Sequence, residues 1–346
     1  MSAPLAGLKV AVVADRLTDL GGRMLAELGA GVVLLAERQP TLPARRAAWL
    51  HGMRRPAEGE TAEALVAAAD VLLDGRRRGT EPGVEDAAAA NPRLVHVVAH
   101  PGVGEDDAPA TDLTLMARSG LMTVVGDPDR PPLRLPGEQG YALTGIQVAT
   151  AALLGLAARR RTGRGQRIDV SAAQAATLAN YREAVMFAWT GRIGRRTGNR
   201  LVRGASGVRQ VWPCADGHVT WSMIDNPGMM RGLVRVMEAE GAAGELSDVA
   251  WEDILVADTD QAVIDRWQEV FGAFFAAHDR ARLAAWSLAH GWGLSAIATP
   301  EEVRASEHLA ARGLWVDVDD HGTRRRLPGP LFRFDGATGA PPREVP

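Results

Sequence analysis

The chain has one cysteine and two tyrosines in 346 residues, and Lys9 is the only lysine among 39 basic residues. A lone Cys214 excludes an internal disulfide and any multi-cysteine metal site. It suits a reducing compartment. The scarcity of lysine reads as codon bias before function. No uninterrupted apolar run reaches membrane length, because the stretch from Ile146 stops at Arg159. The first residues, MSAPLAGLKVAVVAD, lack the basic start and long apolar centre of a signal peptide. The expectation is a soluble, cytoplasmic protein with no membrane partner. The net charge of −3 offers nothing to nucleic acid. No Walker A string, HExxH or GxGxxG is present; the Gly163/Gly165 pair lacks a third glycine and follows a helix. The eight histidines show no metal-ligand spacing. What remains is an ordinary globular mix, 46% hydrophobic and 23% charged, long enough for one large domain or two modest ones.

Leu8 to Ala14 is a β-branched run of the kind buried on both faces of a parallel sheet. A helix follows from about Thr18, a possible N-cap, to Leu28. Gly29-Ala30-Gly31 stops it, and Val32 to Leu35 form a second buried strand, which completes a βαβ unit. Residues 39–60 are rich in Pro, Arg and Gly and hold no clear element. Glu60 to Ala69 reads as a helix, and Val71 to Leu73 and the run through Ala99 as strands. Asp112 opens a short helix. Gly145 to Arg161 is an apolar helix with small residues on its faces, followed by the turn Thr162-Gly163-Arg164-Gly165-Gln166 and the strand Arg167 to Val170. A long helix runs from Ser171 to about Trp189. An Arg-rich loop then leads to a hairpin around Pro213 to Gly217 and to three further helical patterns.

The stretch from Gly126 to Ser171 resembles the central signature of the family III CoA-transferases (the CaiB/BaiF group), which include formyl-CoA transferase and 2-methylacyl-CoA racemase. That signature is two prolines, nine residues to an Asp, four to a Gly, an Ala/Leu-rich helix, then TGxGQ and a short strand ending D-V-S. Pro131-Pro132, Gly145 and Thr162 to Ser171 match. Other strings resemble the family in the same order: the opening LAGLKV, MLAELGAGVVLLAE, ADVLL at Ala69, NPRLV at Asn91, DLTLMARSG at Asp112, and HLAARG at His308. The chain departs at four places. Tyr141 stands at the Asp position. Leu17-Thr18-Asp19 replaces an Ala-Gly-Pro turn. Residues 39–60 are shortened. Thr111 precedes Asp112 where the racemase branch has His.

The resemblance implies an α/β fold, with a Rossmann-like large domain and a smaller α+β domain. It also implies a dimer of interlocked subunits with acyl-CoA or CoA as substrate and no permanently bound cofactor. The expected domains are 1–190, a linker at 191–207, a small domain at 208–300 and a return segment at 301–346. The family reaction uses a carboxylate that attacks an acyl-CoA thioester, forms a mixed anhydride, and then takes CoA onto its own carbonyl. A phenol has no carbonyl carbon, and its pKa of about 10 makes it a poor nucleophile near neutrality. With Tyr141 at that position the aspartyl route is closed.

Three alternatives stay open. Glu138 could reach in. Asp112 could be the working carboxylate, its plain reading being a helix N-cap. Tyr141 could donate a hydrogen bond or a proton at a thioester oxygen or α-carbon, its plain reading being simple packing. Expected ligand contacts are Arg16 and Leu17 after the first strand, Arg38 after the second, and Gly75, Arg76 and Arg77 after the third, where parallel sheets bind ligands. His100 and Arg164 are weaker candidates, a core histidine and a turn arginine in their plain readings. The expected function is CoA-transferase-like action on an acyl-CoA by a non-standard site. The alternatives are a non-catalytic subunit paired with an Asp-bearing paralogue, or a pseudoenzyme, isomerase or lyase derived from the fold.

Overall fold

The computed structural model describes residues 3–37, 42–75, 82–103, 108–329 and 331–332. Two compact units emerge: Met1–Thr123 with Leu133–Gly194 and Ser306–Pro346, and Val124–Pro132 with Arg195–Ala305.

The first unit is built on five parallel strands, β1 (Lys9–Ala14), β2 (Gly31–Glu37), β3 (Val71–Asp74), β4 (Val95–His100) and β5 (Gln166–Ser171), in the order β2-β1-β3-β4-β5. Its helices are α1 (Asp19–Glu27), α2 (Pro43–Leu50), α3 (Ala62–Ala67), α4 (Pro82–Ala90), α5 (Asp112–Arg118), α6 (Gln139–Thr162), α7 (Ala172–Leu178) and α8 (Tyr181–Thr190). The strand order turns back between β1 and β3. The crevice beyond the carboxyl ends of those two strands is where open parallel sheets hold ligands. One sheet face, with Val10, Val12, Val71, Leu73, Val95 and Val97, joins a core with Leu25 of α1, Leu115 of α5 and Val148 of α6. The other face, with Ala11 and Leu72, is covered by Val66 of α3 and Val84 of α4.

Helix α6 starts six residues earlier than its sequence pattern suggests. Its small residues allow close approach. A Cβ on Gly145 would stand 2.7 Å from Leu20 Cβ, and one on Gly155 would stand 2.4 Å from Val95 Cγ1. By length and composition α6 is apolar enough to cross a bilayer; here it packs on α1 and the sheet. Helix α4 (Pro82–Ala90) has no counterpart in the sequence reading. Two other readings need correction. Residues 39–60 contain α2, started by a proline at the first turn where its missing N–H costs nothing. The long helix after Ser171 is two helices, broken at Ala179–Asn180.

In the second unit, β6 (Arg200–Arg203) and β7 (Ser206–Arg209) form a hairpin, so 191–207 is more than a linker. Gly198 N donates to Gly126 O at 3.1 Å, which places the segment from Val124 here. The strands β8 (Val211–Cys214), β9 (Gly217–Thr220) and β10 (Ser295–Ala296) make an antiparallel sheet. Around it lie α9 (Pro227–Ala239), α10 (Gln261–Ala276), α11 (Arg280–His290) and α12 (Pro300–Ala305). The core is aromatic, with Trp212, Trp221, Phe271, Phe275 and Trp292 all buried. Buried indoles need acceptors: Trp212 Nε1 donates to Trp221 O at 2.8 Å and Trp221 Nε1 to Trp292 O at 3.1 Å.

The chain returns to the first unit as α13 (Glu307–Ala311) and the hairpin β11 (Trp315–Asp320) with β12 (Thr323–Pro328). A buried ion pair ties it down. Arg23 Nε donates to Glu27 Oε1 at 2.8 Å, and its two other nitrogens donate to Ala48 O and Pro328 O at 2.6 and 2.7 Å. Leu331 N donates to Glu27 Oε2 at 2.8 Å. The fully buried His51 has Nε2 at 3.7 Å from Glu27 Oε1. Burial alone would raise the Glu27 carboxyl. His51, Arg23 and the Leu331 amide outweigh it and hold the group below its ordinary 4.5.

Because the folded value is depressed, Glu27 contributes stability above about pH 4.5 that is lost as pH falls through its folded pKa. Arg23→Met, which strands a buried carboxylate, should cost about 3–5 kcal/mol in urea unfolding. It should also flatten the acid limb of the stability profile. An unchanged midpoint would remove Arg23 from the support of the return segment.

Candidate active site

Helix α6 enters β5 through a tight turn closed by Gly163 at φ +73°. Since β5 is parallel to the other strands, the start of α6 must lie at the carboxyl edge of the sheet. The loop after β1, Asp15 to Thr18, lies at the same edge, and α1 packs along α6. Tyr141 is the third residue of the helix.

The first amides of a helix lack internal partners and carry partial positive charge. Glu138 occupies the N-cap position of α6, but its side chain makes no capping bond. Asp112 takes that role from another helix. Its Oδ1 accepts from Gly140 N at 2.7 Å and Tyr141 N at 3.2 Å. This corrects the reading of Asp112 as the cap of its own helix. Helix α5 is capped by Thr111, which exchanges reciprocal bonds with Thr114 in a capping box. Asp112 is 5% exposed, and its Oδ2 has no hydrogen-bond partner.

Tyr141 is 4% exposed and belongs to the core of the large sheet. Its hydroxyl donates to Ala110 O at 3.5 Å. The Arg16 guanidinium lies 5.8 Å from its ring centroid. Burial pushes the phenol above its ordinary 10, with Arg16 opposing the shift. The group is therefore a neutral hydrogen-bond donor near pH 7, and not a phenolate nucleophile.

Glu138 is held by two guanidiniums. Arg16 Nη1 lies 3.3 Å from Oε1, and Arg45 Nε donates to Oε2. Arg45 Nη1 also donates to Asp19 Oδ2 at 2.9 Å, and its guanidinium stacks 4.6 Å from the Trp49 ring centroid. Two cations and two anions thus close one neutral cluster beside Tyr141. Arg16 Nε and Arg45 Nη2 are buried in it without acceptors. Arg45 was missed in the sequence because its helix was missed. The available signal was Pro43 followed by a helix-compatible ARRAAWL.

The structure thus brings Arg16, Asp112, Glu138 and Tyr141 together. Leu17 is core, 4% exposed, so its side chain is not presented to a ligand. Gly75 follows β3 where a Cβ would stand 2.5 Å from Asp15 Cβ, and this close approach of two strand ends explains the glycine without a ligand. Arg38, Arg76 and Arg77 lie outside the described residues. His100 ends β4, buried, with Nδ1 unpartnered. Among the described residues no group of His, Cys, Asp and Glu could hold a metal ion.

Comparison with known proteins agrees with this architecture. The model for "CoA-transferase family III" matches residues 5–346. The succinyl-CoA:(R)-benzylsuccinate CoA-transferase subunit BbsE of Thauera aromatica is 27% identical over 80% of this chain and 69% of its own length. The succinyl-CoA–D-citramalate CoA-transferase of Chloroflexus aurantiacus is 26% identical over 78% of this chain and 66% of its own. A CaiB/BaiF family protein from Brucella suis superimposes with a TM-score of 0.82 at 23% identity, over 100% of this chain and 96% of that one. With the family model matching nearly the whole sequence and a parallel-sheet fold to go with it, the chain belongs to CoA-transferase family III.

Proposed function

We propose that this protein binds an acyl-CoA thioester beside the start of α6 and acts on it without forming an aspartyl anhydride. The carrying observation is the state of Tyr141, a buried, neutral phenol at the position where the family motif has its Asp. It has no carbonyl carbon to accept CoA. The neighbouring carboxylates do not replace it. Asp112 spends Oδ1 on two helix amides, and Glu138 is clamped by Arg16 and Arg45. Hydrogen bonds and ion pairs to a carboxylate lower its nucleophilicity by stabilising its charge. The role left to Tyr141 is donation: its O–H can polarise a thioester carbonyl or pass a proton at the α-carbon.

A second reading is a non-catalytic subunit, favoured by the BbsE relative, which is named as a subunit. A second chain fits both readings. Leu154 of α6 is 64% exposed and Trp189 of α8 is 86% exposed, and Tyr181 and Phe187 are exposed on α8. An open groove of about 1240 Å³, lined by Leu154, Leu178, Tyr181 and Val185, runs along α6 to α8. Large exposed apolar side chains along an open groove suit an interaction site. The assigned occupant is a second copy of the chain, with an Asp-bearing paralogue as the alternative outcome.

Incubation with acyl-CoA, followed by denaturation and intact-mass measurement, should show no adduct on the wild-type chain. Tyr141→Asp should gain one. A wild-type adduct removed by Glu138→Gln would instead make Glu138 the nucleophile. Light scattering should give a dimer that Leu154→Arg converts to monomer. A monomeric wild-type chain that dimerises only with a paralogue would select the subunit reading.

A further inference from the structure

The protein leaves one carboxylate oxygen at the start of α6 unused. Asp112 is 5% exposed, and its Oδ1 accepts from Gly140 N and Tyr141 N. Its Oδ2 is buried and has no hydrogen-bond partner among the described residues. A carboxylate oxygen accepts hydrogen bonds and donates none. Burying one without a donor is costly, because nothing replaces the water it has lost.

The neighbouring donors are directed elsewhere. Helix α5 is capped by Thr111 with Thr114. In α6 the next amide, Ala142 N, donates to Glu138 O at 3.0 Å. Arg16 donates to Glu138, and Arg45 to Glu138 and Asp19. The remaining buried nitrogens, Arg16 Nε and Arg45 Nη2, reach no acceptor, Asp112 included. Leu115 and Met116, which follow in α5, are fully buried and apolar. The close fit depends on a missing side chain, since a Cβ on Gly140 would crowd Asp112 Oδ1 at 3.2 Å. Tyr141 meets this same segment twice. Its amide donates to Asp112, and its hydroxyl donates to Ala110 O, two residues earlier.

We infer that Asp112 Oδ2 selects the acyl group, and that the preferred thioester carries a hydroxyl on its acyl chain which donates to this oxygen. The inference rests on the acyl-CoA reading of the site beside Tyr141. A thioester whose carbonyl takes the phenol's hydrogen bond has its first acyl carbons next to the 110–112 segment. An alkyl chain there leaves Oδ2 as unpaired as before. A ketone or a second carboxylate sets lone pairs against lone pairs. A hydroxyl both donates and accepts, which suits a turn with orphaned atoms of both kinds; an ammonium only donates and must first be stripped of its water. A site built to hydrogen-bond a substrate hydroxyl rejects the analogue that lacks it, because its own polar group is then left unpaired.

The test is calorimetric titration of the full chain with four matched thioesters: 2-hydroxybutyryl-CoA, 3-hydroxybutyryl-CoA, 3-oxobutyryl-CoA and butyryl-CoA. One of the hydroxyacyl esters should bind at least about tenfold more tightly than butyryl-CoA and 3-oxobutyryl-CoA. Asp112→Asn keeps Oδ1 for the helix amides and puts an NH2 donor in place of Oδ2. In that variant the advantage over 3-oxobutyryl-CoA should disappear, because the ketone then meets a donor. Butyryl-CoA binding the wild-type chain as tightly as both hydroxyacyl esters overturns the inference and leaves the acyl-CoA site standing. So does a hydroxyl preference that Asp112→Asn leaves intact. No binding by any of the four esters overturns the acyl-CoA reading and this inference with it.

Discussion

The arrangement at the carboxyl edge of the large sheet depends on one carboxylate holding a helix that is not its own. Asp112 accepts from the amides of Gly140 and Tyr141, and so fixes the start of the longest helix against α5. A side-chain cap of this kind contributes about 1–2 kcal/mol. Its larger effect is positional. With the first turn of α6 pinned, Tyr141 has one place to be, its ring in the core and its hydroxyl toward Ala110 O. The unpaired Asp112 Oδ2 and the unpaired nitrogens of Arg16 and Arg45 belong to residues gathered around this turn. Buried polar atoms without partners are costly, by about 1–3 kcal/mol each, and they concentrate where ligands bind.

A buried phenol beside the start of α6 offers chemistry that a carboxylate there would not. Burial raises both a carboxyl and a phenol toward their neutral forms, but only the phenol starts near 10 and remains protonated at pH 7. The Glu138 clamp has a related consequence. Arg16 and Arg45 are balanced by Glu138 and Asp19, and Asp112 and Asp15 also act on the phenol, so the wall beside Tyr141 carries no net positive charge. Such a wall orients a polar ligand without attracting anions indiscriminately.

Much of the fold was legible because local signals agreed with the global topology. The β-branched run at Val10, the Gly29-to-Gly31 stop, the small faces of α6 and the TGRGQ turn each specify their element. The family strings then supplied their order. The site was only partly legible. Asp112 sits before an apolar run and reads as a local cap; that its carboxylate serves amides 28 and 29 residues later is a tertiary fact. Arg45 meets Glu138 across 93 residues, from a segment whose Pro and Arg content masked a two-turn helix. Leu17 and Gly75 lie at the strand ends, where packing accounts for the burial of the leucine and for a residue without a Cβ at 75.

Hydrogen exchange across the chain, with and without a CoA ester, tests the central claim most directly. Binding beside the first turn of α6 should slow exchange at Gln139 to Gly145 and in the Asp15 to Thr18 loop, and the second unit's core should change little. Unchanged exchange at both segments under saturating ester would contradict a CoA site at this end of the helix.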